Sequence, residues 1–111
     1  MRDERCDVVI AVDPFRGDSS GRPFLIVGSE ETPFHGEQYI ALSLTTRTWY
    51  DERLPLNEGD WDDGGAPRSS SIMPWSVNSI DADLIERYQG RLGTDVVDEA
   101  TTRLVEYVGP D

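Results

Sequence analysis

A chain of 111 residues with 37% apolar content is sized for one domain, residues 1–111, around one core. Its 22 acidic residues against 10 basic ones, all of them arginine, give a net charge of −12, which on composition alone argues against a nucleic-acid binder. No run reaches the roughly 20 apolar residues of a membrane helix, the charged start MRDERCD lacks a signal-peptide pattern, and the single Cys6 excludes an internal disulfide; a cytoplasmic location and no membrane contact are expected.

The acidity is spread along the chain rather than massed in a tail. That distribution favours adaptation to a salty cytoplasm over a single basic partner. At molar salt the Debye length falls to roughly 3 Å, so distant repulsion fades and local arginine contacts decide what binds.

In chain order, Asp7–Val12 reads as a nearly continuous apolar strand, partly buried on both faces, with Cys6 a small residue at its start. Asp13-Pro14 opens a polar connection through Gly21 that carries Arg16 and Asp18. Arg22 follows, and Pro23 opens a second strand to Gly28, where its missing N–H costs least. An arginine at the mouth of such a strand pair can grip a phosphate oxygen, or pair with a surface carboxylate. Ser29–Gly36 is a loop, with His35 a surface residue. Gln38–Thr46 is a third strand: Ile40, Leu42 and Leu44 form its core face, while Tyr39, Ala41, Ser43 and Thr45 share the other and turn polar toward its end. Arg47–Tyr50 either continues that strand or bends away, and Arg47 is a candidate phosphate contact or a solvated charge.

Leu54 and Leu56 around Pro55 suggest a short edge strand. The rest of the segment to Ser70, with Glu58, Asp60, Asp62 and Asp63, reads as an exposed acidic loop. Its spacing is not that of a calcium loop, and no metal site is expected. Trp61 in its midst either pins the loop or offers a stacking face. Trp49, Trp61 and Trp75 are read first as core or dimer-contact residues, with base stacking as the other use of such rings. Ser71–Pro74 and Ser76–Ile80 are short strands broken at Pro74-Trp75, Asp81 caps one helical turn, and Glu86–Leu92 is a last strand. Thr94 then caps a helix whose apolar face is Val97, Ala100, Leu104, Val105 and Val108, ended by Gly109-Pro110. Several short strands followed by one helix suit a small, partly closed barrel with the helix packed on it, mainly β in class.

The opening RCDVVIAVDPFRGDSSGRPFLIVG resembles the R-G-D-V … R-P pattern of MazF/PemK-type toxins, through Arg5, Asp7, Val8, Gly17, Gly21, Arg22 and Pro23. The strand IALSLTT is similar to the family's apolar strand ending in Thr or Ser. The stretch SVNSIDADLIERYQGRLGTDVVDEATTRL resembles its Q-V-R-S-I-D … R-I-G-R-L segment and closing helix. The resemblance implies an SH3-like barrel of the MazF/CcdB type, usually a homodimer. It implies a type II toxin that cuts single-stranded RNA without metal or other cofactor, leaving 2′,3′-cyclic phosphate and 5′-OH ends, and that a cognate antitoxin blocks. It makes Arg22 and Thr45 the catalytic pair. With no Glu in the shorter first loop, Asp18 is the candidate base in its place, and Arg16, Ser43 and Arg47 are candidate RNA contacts. The chain departs from the pattern at Cys6 in place of Gly, at Asn78 in place of Arg, at Trp75-Ser76 in place of an acidic residue and Gln, and in a first loop without Glu. These departures keep a second reading open, a barrel without nuclease activity that binds a partner protein.

Overall fold

The computed structural model describes residues 3–12, 21–66 and 68–110. The strands are β1 (Asp7–Val12), β2 (Gly21–Ile26), β3 (Gln38–Thr45), β4 (Leu54–Pro55), β5 (Trp61–Gly64), β6 (Ser71–Asp81) and β7 (Ile85–Leu92), followed by the helix α1 (Thr94–Val108). They form one sheet in the order β4-β6-β3-β2-β1-β7-β5, antiparallel throughout. The first three strands form a meander. The chain then crosses from β6, beside β3, to β7, beside β1, which curls the sheet into a half-barrel.

Curling explains why a single sheet carries two cores. One face gathers Val8, Leu25, Leu42, Leu44, Ile72 and Leu92 under Val97 and Ala100 of α1. The other gathers Val9, Ala11, Phe24, Ile26, Tyr39, Ala41 and Ile80. In β1, Val8 to Ala11 are buried in succession, as a strand closed on both sides requires.

The same curl corrects the expected facing of β3. Tyr39 and Ala41 are fully buried, and Ile40 of the supposed core face is 37% exposed, while Leu42 and Leu44 are in the core as expected. With apolar residues on both faces, alternation alone does not say which face closes. Strand β2 starts at Gly21 rather than Pro23, and Pro23 sits inside it opposite Ile10. Strand β3 stops at Thr45 and Arg47–Tyr50 leaves the sheet.

The acidic segment is also more ordered than its composition suggests. Leu54–Pro55 is the expected edge strand, but a 3-10 turn at Glu58–Asp60 and the opposite edge strand β5 follow. Close approach of β5 to β7 depends on two glycines. Gly64 has φ +62°, and a Cβ on Gly90 would come within 2.6 Å of the Asp63 carbonyl oxygen. Trp61 packs against the helix-side core and so pins this edge. The two strands expected at residues 71–80 are one 11-residue strand. Its pairing with β3 shifts register between Leu42–Val77 and Leu44–Ile72, and Pro74 lies in that irregularity, where a missing N–H breaks no ladder bond.

Asp81 precedes a 3-10 turn at Ala82–Leu84 but makes no side-chain cap bond. Gly93, not Thr94, caps α1, and Thr94 is its first residue. On α1 only Val97 and Ala100 are fully buried; Leu104 and Val96 pack at the margin, while Val105 and Val108 are exposed. His35 is half-buried rather than a surface residue, its ring edge-on to Tyr39 with centroids 5.0 Å apart.

Candidate active site

Strands β2 and β3 pair Phe24 with Ser43, Leu25 with Leu42 and Ile26 with Ala41. Continued by two residues, that register sets Arg22 opposite Thr45. Two residues 23 positions apart in the chain thus come to the same end of the strand pair, because the hydrophobic pattern of both strands fixes one register. They line one cavity of about 230 Å³ together with Pro23, Leu44, Thr46, Arg47 and Ser70.

Within it, Thr45 is 6% exposed, and its Oγ1 accepts the backbone N–H of Arg47 at 3.1 Å. That contact fixes the hydroxyl rotamer and uses a lone pair, leaving the hydroxyl proton to be donated. Arg22 is half-buried at the mouth of β2. A second cavity of about 310 Å³ shares Pro23, Thr46 and Ser70 with the first and adds Arg68 and Arg87. Arg87 reaches this rim because it pairs with Ile10, which pairs on its other side with Pro23. Among the described residues, Arg22, Arg47, Arg68 and Arg87 make no ion pair with a carboxylate. Four guanidiniums without a carboxylate partner among the described residues are unexpected on a chain of net charge −12.

Residues 4–108 match the family model described as PemK-like, MazF-like toxin of type II toxin-antitoxin system. The chain belongs to this family. No curated protein matches it significantly in sequence. Its fold is similar to a complex of MazE and MazF from Deinococcus radiodurans, at 15% identity over 100% of this chain and 99% of that one, with a TM-score of 0.75. It is similar too to an endoribonuclease in complex with its cognate antitoxin from a mycobacterial species, at 17% identity over 98% and 95%, with a TM-score of 0.74. The Mycobacterium tuberculosis toxin MazF-mt6 aligns at 17% identity over 95% and 98%, with a TM-score of 0.69.

Against the MazF-like pattern, Cys6 holds the place of a glycine and keeps a glycine-like backbone, with φ 83°. That conformation is one a glycine adopts readily, and here the side chain is absorbed by the helix-side core. Asn78, in the place of an arginine, donates to Ser43 Oγ at 2.9 Å, and Ser76 Oγ lies 3.0 Å from the same atom. Ser43 is therefore held in a polar trio between β3 and β6, and it does not line the cavity of Arg22 and Thr45. Of the other residues singled out in the sequence, Arg47 joins the cavity, while Arg16 and Asp18 lie outside the described residues. Arg68 and Ser70 carry no mark in the sequence, and Arg87, which reads there as a structural residue like Arg91, lines the second cavity instead. Their only signal is that they are arginines and a serine near strand ends, and only the sheet order brings them to the rim of Pro23.

Proposed function

We propose that this MazF-like chain is a metal-independent endoribonuclease toxin that cleaves single-stranded RNA by attack of the ribose 2′-OH on the adjacent phosphodiester. The 2′ oxygen forms a bond to phosphorus as the bond to the 5′ oxygen breaks, giving a 2′,3′-cyclic phosphate and a 5′-OH. Charge grows on the nonbridging oxygens in that step. The Arg22 guanidinium takes them in charge-assisted hydrogen bonds, in a partly enclosed cavity where each is worth more than in water. The Thr45 hydroxyl donates to the same phosphate. Neither group is a strong base; Asp18 is the candidate to remove the 2′ proton, and Arg22 delivers one to the leaving 5′ oxygen. Arg16, Ser43 and Arg47 are assigned to holding the RNA.

The observation that carries this reading is the presence of Arg22, Thr45 and Arg47 in one cavity next to Arg68 and Arg87, none of these arginines holding a carboxylate among the described residues. Family membership supports it, and two of the similar structures are complexes with an antitoxin. By the same likeness this chain acts as a homodimer and is neutralised by a cognate antitoxin that occupies the arginine rim. The test is incubation with mixed RNA in EDTA, followed by analysis of the ends. Cyclic phosphate termini that vanish with Arg22→Ala support the nuclease. RNA left intact by the native chain at every salt concentration, alongside a tight protein partner, assigns the groove to binding alone.

A further inference from the structure

Arg47 belongs to two places at once. It lines the cavity of Arg22 and Thr45, and its guanidinium carbon stands 5.2 Å from the centroid of the Trp49 ring. Trp49 in turn lies 5.7 Å from Tyr50, and Tyr50 lies 5.5 Å from Trp75 on β6, all centroid to centroid. None of these rings belongs to either core. Trp49 is 68% exposed and Trp75 38% exposed. Large rings with open π faces, fixed by tilted contacts and joined by a cation to a phosphate-sized pocket, are the combination that single-stranded nucleic acid engages.

We propose that Trp49, Tyr50 and Trp75 form a nucleobase platform that takes one unpaired base of the RNA next to the phosphate held by Arg22 and Thr45. The proposal rests on the ribonuclease reading above and assigns that site its neighbouring base. Arg47 couples the two parts: its charge serves the RNA backbone at the cavity while its guanidinium carbon stands over the Trp49 ring. Continuity with the phosphate cavity is what selects a base over a protein side chain as the occupant. Because every base has a π face, the platform adds affinity and register, not a sequence code.

The test uses the full chain and an uncleavable 2′-O-methyl RNA octamer of mixed sequence, with binding read by tryptophan fluorescence and anisotropy. Trp49→Ala is expected to weaken binding about 5- to 150-fold, with Trp49→Phe keeping most of the affinity. An abasic nucleotide scanned along the octamer should, at one position, cost the native chain a similar factor and cost Trp49→Ala nothing further. Equal affinity of native and Trp49→Ala chains of matching circular dichroism overturns the platform, as do losses that simply add. If RNA affinity is unchanged but Trp49→Ala loses self-association in sedimentation, the rings are a contact between two copies and the proposal falls. If the platform fails while Arg22→Ala still abolishes cleavage, the nuclease reading stands. If the native chain binds no octamer and cuts no RNA, both fall together.

Discussion

Two sets of arginines contrast in this molecule. On the side of the N-terminal segment and helix, Arg5 reaches Asp98 at 3.1 Å and Thr101 at 3.2 Å, Arg91 holds Asp7 at 2.9 Å, and Arg103 holds Glu99 at 2.9 Å. At the rim of Pro23, Arg22, Arg47, Arg68 and Arg87 hold no carboxylate among the described residues. With 22 acidic residues in the chain, scarcity of partners is not the reason. The first set serves the fold: Arg5 also donates to the Val27 carbonyl, tying the N-terminal segment, β2's end and α1 together. The second set makes no such tie among the described residues, which is what the proposed RNA-binding role requires of it.

The contrast is broken most directly by exchanging the two roles. Arg22→Ala is expected to lower the cleavage rate by about 10²–10³, roughly 3–4 kcal/mol, with the urea midpoint scarcely moved. Asp7→Ala is expected to do the reverse. Asp7 is 8% exposed, takes the Arg91 guanidinium and the Glu4 N–H, and anchors the start of β1. Its loss should cost about 2–4 kcal/mol in a denaturant melt, with activity per folded molecule retained. A melt unchanged by Asp7→Ala, or a marked loss of stability in Arg22→Ala, breaks the division.

The division is sharpened by salt. Removing Arg68 or Arg87 should reduce the slope of log affinity against log salt for single-stranded RNA by about 0.7 each, and Arg103→Ala should leave that slope alone. A smaller effect falls on the far edge of the sheet. Tyr88 donates its hydroxyl to Asp63 at 2.7 Å, and that hydrogen bond, with some burial, pushes its pKa up to about 12. The neutral phenol is thus favoured in the folded chain. The contribution is intact below the ordinary value of 10 and is lost as pH rises from there through about 12. Tyr88→Phe should flatten the stability profile in that window, and absorbance at 295 nm should show the late phenol in the native chain.

Much of the fold is legible because it rests on local chemistry. The apolar run of β1, the strand of Gln38–Thr45, the proline-bearing edge at Leu54–Pro55 and the terminal helix all announce themselves. What escapes is set at a distance. Strand β5 looks like an acidic loop because Trp61-Asp62-Asp63-Gly64 becomes a strand only against Leu92, Arg91 and Gly90. The continuity of β6 is hidden by Pro74, which a local reading takes as a break and the sheet takes as an irregularity. For the site, Arg22 and Thr45 are nameable from the family pattern, and their meeting follows from a register no single segment encodes. Arg68 and Arg87 have no sequence signature at all, since it is the placement of β1 between β2 and β7 that brings Arg87 near Pro23.

Cys6 carries a consequence of its own. It is 3% exposed, its N–H donates to the Ile26 carbonyl at 2.9 Å, its carbonyl accepts the Leu92 N–H at 2.9 Å, and burial raises its thiol pKa. The sole sulfhydryl of the chain therefore sits at the head of β1, between the ends of β2 and β7, where those backbone ties must part before any reagent can arrive. The molecule comes with a chemical stopwatch, and the pace at which that thiol is capped reads how often the barrel comes unstitched.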